Sequence, residues 1–295
     1  MSDRTSWAPL VIGTPVAEFE PRPPRSPGYR PDFAADGWST EHLAVRAASV
    51  RGYQHRHDGT PRQDDFALAA HPGSGAVVAA VADGVANAEL AHLGATLVCR
   101  SAVDQLLHAL DNDNSDDNSA DNSAVPDWPN LMSCAGWALV DFAARQPAAD
   151  GEADPDRAER LLATTLVVAL VRPVPGGGAT AELARVGDSA AWLLRDDRWL
   201  PVFAGDGDEL INPVVSALPR VPAELAGTTV ELAPGDVLLL GTDGVDLAVG
   251  DGSGQVGAAF AEALRPPPAP LELARLLDFS RETFDDDRTL VAVWP

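Results

Sequence analysis

The sequence predicts an α+β fold in which two antiparallel β-sheets pack face to face with helices outside them. Three observations carry this reading. The elements run as strands, two helices, many strands, two helices and a final strand, which is not the βαβ alternation that builds a parallel sheet. Tight-turn sequences join successive apolar runs: Gly73-Ser74-Gly75, Gly176-Gly177-Gly178 and Pro234-Gly235, each suited to a hairpin. The runs themselves are short and rich in valine, alanine and leucine, as from Ala76 to Ala82, the composition of a buried strand.

Residues 1–42 hold seven prolines, at 9, 15, 21, 23, 24, 27 and 31, with no periodic pattern. They read as a proline-rich N-terminal arm, pinned to the body by Trp7, Val11 and Phe33. The domain proper is expected over 43–295. Its first strand runs from Leu43 to Tyr53, and a polar loop rich in His and Arg follows to Arg62. The spacing of Leu90, Leu93, Leu97, Val98, Leu106 and Leu107 predicts a helix over 88–110. Residues 111–126, almost wholly Asp, Asn and Ser up to Ala124, read as a disordered acidic insertion. A second helix over 129–145 puts Leu131, Met132, Ala135, Leu139 and Phe142 on one face. That face is core rather than a cofactor box.

After an acidic loop at 147–156, strands are predicted at 164–172, 181–186, 190–194 and 199–203. The triple glycine between the first two lacks a following Lys-Ser/Thr and is a turn, not a phosphate loop. Residues 205–226 read as loop. Two further strands, 230–232 and 237–240, form a hairpin. Helices at 254–265 and 271–284 and a strand at 289–294 complete the chain.

Composition narrows the function. Twenty-one basic residues, all arginine, face 44 acidic ones, a net charge of −23. An acidic body with no basic run argues against nucleic acid and anionic membranes as partners. Cys99 and Cys134 match no metal spacing and read as buried thiols of a reducing compartment. The start of the chain carries no apolar signal core, and the longest apolar stretch, Leu161 to Val171, is shorter than a membrane span. A cytoplasmic monomer is expected.

The chemistry is read from aspartates at strand ends. The run ending in Asp83-Gly84 is repeated at Val237–Leu240, which leads through Gly241-Thr242 to Asp243-Gly244. A variant is Val186-Gly187-Asp188-Ser189, and Asp285-Asp286-Asp287 precede the last strand. Asp64-Asp65 add a fifth acidic site. If these ends converge, the carboxylates repel one another and are driven to protonate. A hard divalent cation removes that conflict, because Mg²⁺ and Mn²⁺ favour oxygen ligands. Two such ions about 3.5–4 Å apart activate a water and clamp a phosphoryl group.

Asp64-Asp65, Asp83-Gly84, Gly187-Asp188-Ser189, Thr242-Asp243-Gly244 and Asp286 before Thr289 resemble, in order, the motif set of the metal-dependent protein phosphatases, the protein phosphatase 2C family. The opening Gly52, His55 and Gly59-Thr60-Pro61-Arg62-Gln63-Asp64 resembles its bacterial branch, and Ala163-Thr164-Thr165-Leu166 is similar to the family's threonine pair. The resemblance spans about residues 45 to 295. It implies a four-layer αββα sandwich, each sheet flanked by a helix pair, with the metal site between the sheet ends. It further implies two Mn²⁺ or Mg²⁺ ions and a third, weaker one. Asp83 would bridge the two ions, with the Gly84 carbonyl on one of them. Asp243 and Asp286 would complete the second ion's shell, Asp64 would bind directly or through water, Asp65 more loosely, and Asp188 would hold the third ion. Asp64, Asp83, Asp243 and Asp286 are thus the catalytic set. Asp286 is preferred over Asp285 and Asp287 because it stands three residues before Thr289.

Two positions depart from the family pattern. Where some members carry a histidine after the Asp-Gly, this chain has Val85, which leaves His55, His57 or a water to protonate the leaving group. The phosphate-gripping arginine has no clean counterpart. Arg62 and His55 are the candidates for substrate binding, with Arg51 and Arg56 as rivals. The implied function is a serine/threonine protein phosphatase acting on a phosphorylated protein, a kinase or a kinase's target. The alternatives are a non-catalytic relative that binds a phosphoprotein or kinase, and a hydrolase of small phosphoesters.

Overall fold

Valine and leucine sit on both faces of most strands, and the structure shows why: every central strand is covered twice. The computed structural model describes residues 9–24, 30–113, 125–147, 149, 151–203 and 216–295. One sheet has six strands: β1 (Phe33–Ser39), β2 (Ala44–Val50), β7 (Ala190–Arg195), β8 (Arg198–Pro201), β10 (Val237–Gly241) and β11 (Arg288–Trp294), in the order β1-β2-β11-β10-β7-β8. The other has β3 (Asp65–Ala70), β4 (Val77–Ala82), β5 (Leu166–Pro173), β6 (Ala179–Val186) and β9 (Ala226–Leu232), in the order β3-β4-β5-β6-β9. All neighbouring strands are antiparallel.

Alternation then sorts each strand's residues between layers. Val77, Ala79 and Val81 face inward, where they meet Val45, Leu238, Leu240, Val291 and Val293 of the opposite sheet. Val78, Ala80 and Ala82 face outward and pack under helices α2 (Ala91–Asp113) and α3 (Trp128–Ala144). On the far side Leu239, Leu290, Ala292 and Trp294 lie under α6 (Gln255–Ala263) and α7 (Pro270–Leu277). Each fully buried Val or Leu contributes about 1.5–3 kcal/mol relative to exposure, so three stacked apolar layers hold the sandwich. This is the α+β, four-layer arrangement expected.

Several elements differ from the sequence reading. Residues 33–39, placed in the arm, form edge strand β1, paired along its length with β2. Its sequence, FAADGWS, lacks a periodic apolar face because only Trp38 reaches the inner layer. Tyr53–Asp58, read as loop, is the short helix α1. Pro155–Leu162 is helix α4, started by Asp154, whose side chain accepts from the Asp156 and Arg157 amides. Asp243–Val249 is helix α5. The helix expected to reach residue 284 ends at Leu277. Of the acidic insertion, Asp111–Asp113 complete α2 and residues 114–124 lie outside the described residues, as do Trp7 and 205–215 of the expected loop. Among the described residues no helix is long and apolar enough to cross a membrane.

Candidate metal centre

Antiparallel pairing decides where the acidic residues go. Asp65 of β3 faces Ala82 of β4, and Leu166 of β5 faces Val186 of β6. Ala190 of β7 faces Gly241 of β10, and Arg288 of β11 faces Val50 of β2. The starts of β3, β5, β7 and β11 and the ends of β2, β4, β6 and β10 therefore share one edge. Asp64, Asp83, Asp188, Asp243, Asp286 and Asp287 all sit in segments at that edge. Cross-sheet bonds close it: the Thr242 hydroxyl donates to Asp64 Oδ2 at 2.7 Å, and the Gln63 amide donates to Asp287 Oδ2 at 2.5 Å.

Carboxyls gather there. Burial first, then the neighbouring Asp64 and Asp243 carboxyls, push Asp83 well above the ordinary carboxylate range. Asp64 is 1% exposed. Burial first, then the Asp287 charge, raises it to about 8, against the pull of the Thr242 hydroxyl. At the rim, Asp286 is raised by burial and by Asp287, with a contribution from Asp243, and Asp188 by burial and Asp243. Carboxyls this close resist shared ionisation unless a cation lies among them. An all-oxygen donor set fits a hard divalent ion. The residues present therefore fit the group that the resemblance implies.

The backbone beneath Asp83 is fixed by the threonine pair. Thr165 Oγ1 accepts from the Asp83 amide at 3.0 Å, and the Thr165 amide returns a bond to the Asp83 carbonyl at 2.8 Å. Thr164 Oγ1 donates to that same carbonyl at 2.7 Å, while Thr165 Oγ1 lies 2.7 Å from Ser189 Oγ. Gly187 brings Ser189 in: its φ is +96°, and a Cβ there would stand 2.6 Å from Thr165 Cγ2. Gly84 is required for packing as well, since a Cβ would stand 2.8 Å from the Ala91 carbonyl carbon of α2.

Two predicted site residues are turned elsewhere. Asp65 follows Asp64 in extended chain, so their side chains point to opposite faces. Its carboxylate accepts from Thr96 Oγ1 at 2.5 Å and pairs with Arg30 at 3.5 Å. Arg62 is 3% exposed, and its guanidinium donates to Ser49 Oγ, to the Asp64 carbonyl at 2.9 Å and to the Pro31 carbonyl at 3.3 Å. That leaves no open fork for phosphate. Arg62 instead braces the backbone of Asp64, as does Arg30, which also donates to the Asp64 carbonyl.

His55 does reach the cluster. Its Nδ1 is 2.9 Å from Asp287 Oδ1 and its Nε2 4.0 Å from Asp286 Oδ1, both ion-pair contacts. Burial alone would lower its pKa; contact with Asp287 and the charges of Asp287, Asp286 and Asp64 outweigh this and raise it to about 9. Asp287 is a latch. It is 2% exposed and accepts from the amides of Gly52 at 2.6 Å and Gln63. Burial would raise its carboxyl, but His55 and these amides hold it below the ordinary range. Among the described residues His55, Asp286 and Asp287 bring ligand atoms within 4.8 Å of one another.

The sequence reading missed Asp246. It stands one helical turn beyond Asp243 on α5, and burial and the charges of Asp243 and Asp188 raise its carboxyl. A signal was present, because Thr242 and Gly250 bracket the helix as start and stop residues. The Thr242 hydroxyl does not cap the helix; it is spent on Asp64.

The family model described as protein phosphatase 2C matches residues 51–278. No curated protein matches the chain in sequence. Solved structures share the fold. PppA of Pseudomonas aeruginosa, a key regulatory component of T6SS, is 18% identical with a TM-score of 0.51, covering 86% of this chain and 98% of its own. The S. agalactiae serine/threonine phosphatase is 14% identical at TM-score 0.55, over 86% of this chain and 99% of its own. The catalytic domain of the serine threonine protein phosphatase PstP, in complex with two manganese ions, is 20% identical at TM-score 0.52, over 85% and 97%.

Proposed function

The chain belongs to the protein phosphatase 2C family, and from that premise we propose that it is a metal-dependent serine/threonine protein phosphatase acting in the cytoplasm on phosphorylated protein. The observation that carries the proposal is the gathering of Asp64, Asp83 and Asp243, carboxyls from both sheets, at one edge that the Thr242–Asp64 bond closes. Asp64, Asp83 and Asp243 would hold two Mn²⁺ or Mg²⁺ ions, with Asp286 and Gly84 at their margin. Asp188 and Asp246 would serve a third. Bound divalent ions supply an activated water and neutralise phosphoryl charge.

The protein's own residues do the rest. Thr164 and Thr165 fix the Asp83 backbone so that its carboxylate cannot withdraw. Arg62, Arg30 and Thr242 do the same for Asp64. His55, whose pKa is raised against burial by contact with Asp287 and by the charges of Asp286 and Asp64, stands beside Asp286 as the group that meets the substrate's phosphoryl oxygens or returns a proton to the leaving serine or threonine oxygen. It takes the place that Arg62 cannot fill.

Hydrolysis of para-nitrophenyl phosphate and of a phosphoserine peptide, with Mn²⁺ and with excess chelator, tests the proposal. Turnover of both that chelator abolishes is the expected result. Turnover of the small ester alone would favour a small-phosphoester hydrolase. No turnover by folded, Mn²⁺-loaded protein would leave a phosphoprotein-binding relative.

A further inference from the structure

We propose that the N-terminal arm is a positioning strap for His55, in which Phe19 and Arg22 hold helix α1 and so set where the imidazole stands at the carboxylate cluster. The inference rests on the reading of His55, placed beside Asp286 and Asp287, as the side chain that meets the substrate.

Helix α1 cannot place itself. Six residues are far too few for a stable isolated helix. Its sequence, Tyr53-Gln54-His55-Arg56-His57-Asp58, offers no apolar face, Arg56 is its one buried side chain, and no side chain caps its start. Its position comes from its neighbours. On one side the body grips it: the Gln54 amide donates to the Asp285 carbonyl at 2.9 Å, and Arg56 Nη1 donates to Asp278 Oδ1 at 2.8 Å.

On the other side stands the arm. The Arg22 amide donates to the Arg56 carbonyl at 2.8 Å. Arg51, itself 2% exposed, ties arm to helix, since its Nη2 donates to the carbonyls of Arg22 at 3.1 Å and His55 at 2.8 Å. The Phe19 ring meets Tyr53 and His57 edge-on, with centroids 6.3 and 5.6 Å away. Upstream the arm is anchored to the segment that leads into Asp285–Asp287. The Ile12 amide donates to the Ser280 carbonyl at 3.2 Å, the Ser280 amide to the Leu10 carbonyl at 2.7 Å, and the Glu282 amide to the Thr14 carbonyl at 2.7 Å. The arm thus spans both segments that face each other across His55 and Asp286.

The sequence of the strap fits this task. In Pro21-Arg22-Pro23-Pro24 three residues have no amide donor. The single N–H left is the one that reaches α1. Flanking prolines hold that stretch extended before it docks, so little chain freedom is lost on contact.

Arg22→Pro in the full chain removes that donor and keeps the extended backbone, and Phe19→Ala removes the ring. Both are measured beside His55→Gln and the Arg22→Pro/His55→Gln double variant, with a phosphoserine peptide and saturating Mn²⁺. Arg22→Pro should lower kcat/KM about three- to tenfold, the usual worth of one intramolecular hydrogen bond, with Phe19→Ala close to it and Mn²⁺ affinity unchanged. In the His55→Gln background Arg22→Pro should cost nothing more, because the strap acts through His55. His55 ring resonances, assigned by their loss in His55→Gln, should shift in Arg22→Pro whether or not the protein turns over. Unshifted resonances, or an equal loss of activity in the His55→Gln background, would overturn the strap alone. Full activity in His55→Gln would overturn the reading of His55 and the strap with it.

Discussion

Asp83→Asn should lower kcat/KM by at least about a hundredfold and, in metal-free protein at pH 8, raise the thermal midpoint. Partners that only support a metal ligand are worth about 10–100-fold each, so loss of a ligand shared between two ions sets the floor at the top of that range. The stability effect has the opposite sign for a physical reason. Burial and the neighbouring charges of Asp64 and Asp243 disfavour the charge of Asp83. An amide of the same shape removes one negative charge and can donate to either neighbour. Thr164 and Thr165 bind only its backbone, so they are undisturbed. Steady-state kinetics with Mn²⁺ and a melting curve in chelator check both halves. Retained turnover together with a lower midpoint would mean that Asp83 is structural.

Metal-free protein should also lose stability as pH rises from about 5 to 8, and Mn²⁺ should restore more at pH 8 than at pH 5. The unfolded Asp64 carboxyl titrates near 4 (about 3.9), and its folded value is about 8. Between these values the folded state binds more protons, so unfolding becomes easier as pH rises, and the part of the loss due to Asp64 levels off above 8. Asp83, Asp286, Asp188 and Asp246 shift in the same direction. His55 adds to the trend: raised to about 9, it stabilises below its unfolded value and that contribution is lost as pH climbs through its folded value. Asp287, held low, acts only in acid, where its stabilising contribution is lost as pH falls through its folded value. Metal needs deprotonated ligands. At a hundredfold excess over Kd it contributes about 2.7 kcal/mol, or roughly 5–10 °C for a domain of this size. A Mn²⁺ increment in midpoint that is equal at the two pH values would place binding outside this cluster.

Much of this was legible before the structure because the signal was local. An apolar run that stops at Asp-Gly marks a strand end, and antiparallel pairing brings such ends to one edge. What escaped reading depends on direction and burial. Asp64 and Asp65 are equivalent as letters, yet the strand's alternation sends one into the cluster and the other to Arg30 and Thr96. Arg62 looks like a phosphate grip until its guanidinium is found buried against Ser49 and the Asp64 carbonyl. Helix α5 was hidden because the Asp243-Gly244 dipeptide reads as a turn, and Asp246 went unseen with it. Strand β1 and helix α1 are too polar to signal themselves, and they owe their form to neighbours.

The most direct measurement is a Mn²⁺ titration of purified protein at pH 8, followed by calorimetry, beside Asp83→Asn and Asp243→Asn. At least two ions per chain for the parent, with fewer or far weaker ones in both variants, is the result predicted by a carboxylate cluster built for metal. Binding that is absent, or that is the same in all three proteins, would contradict it.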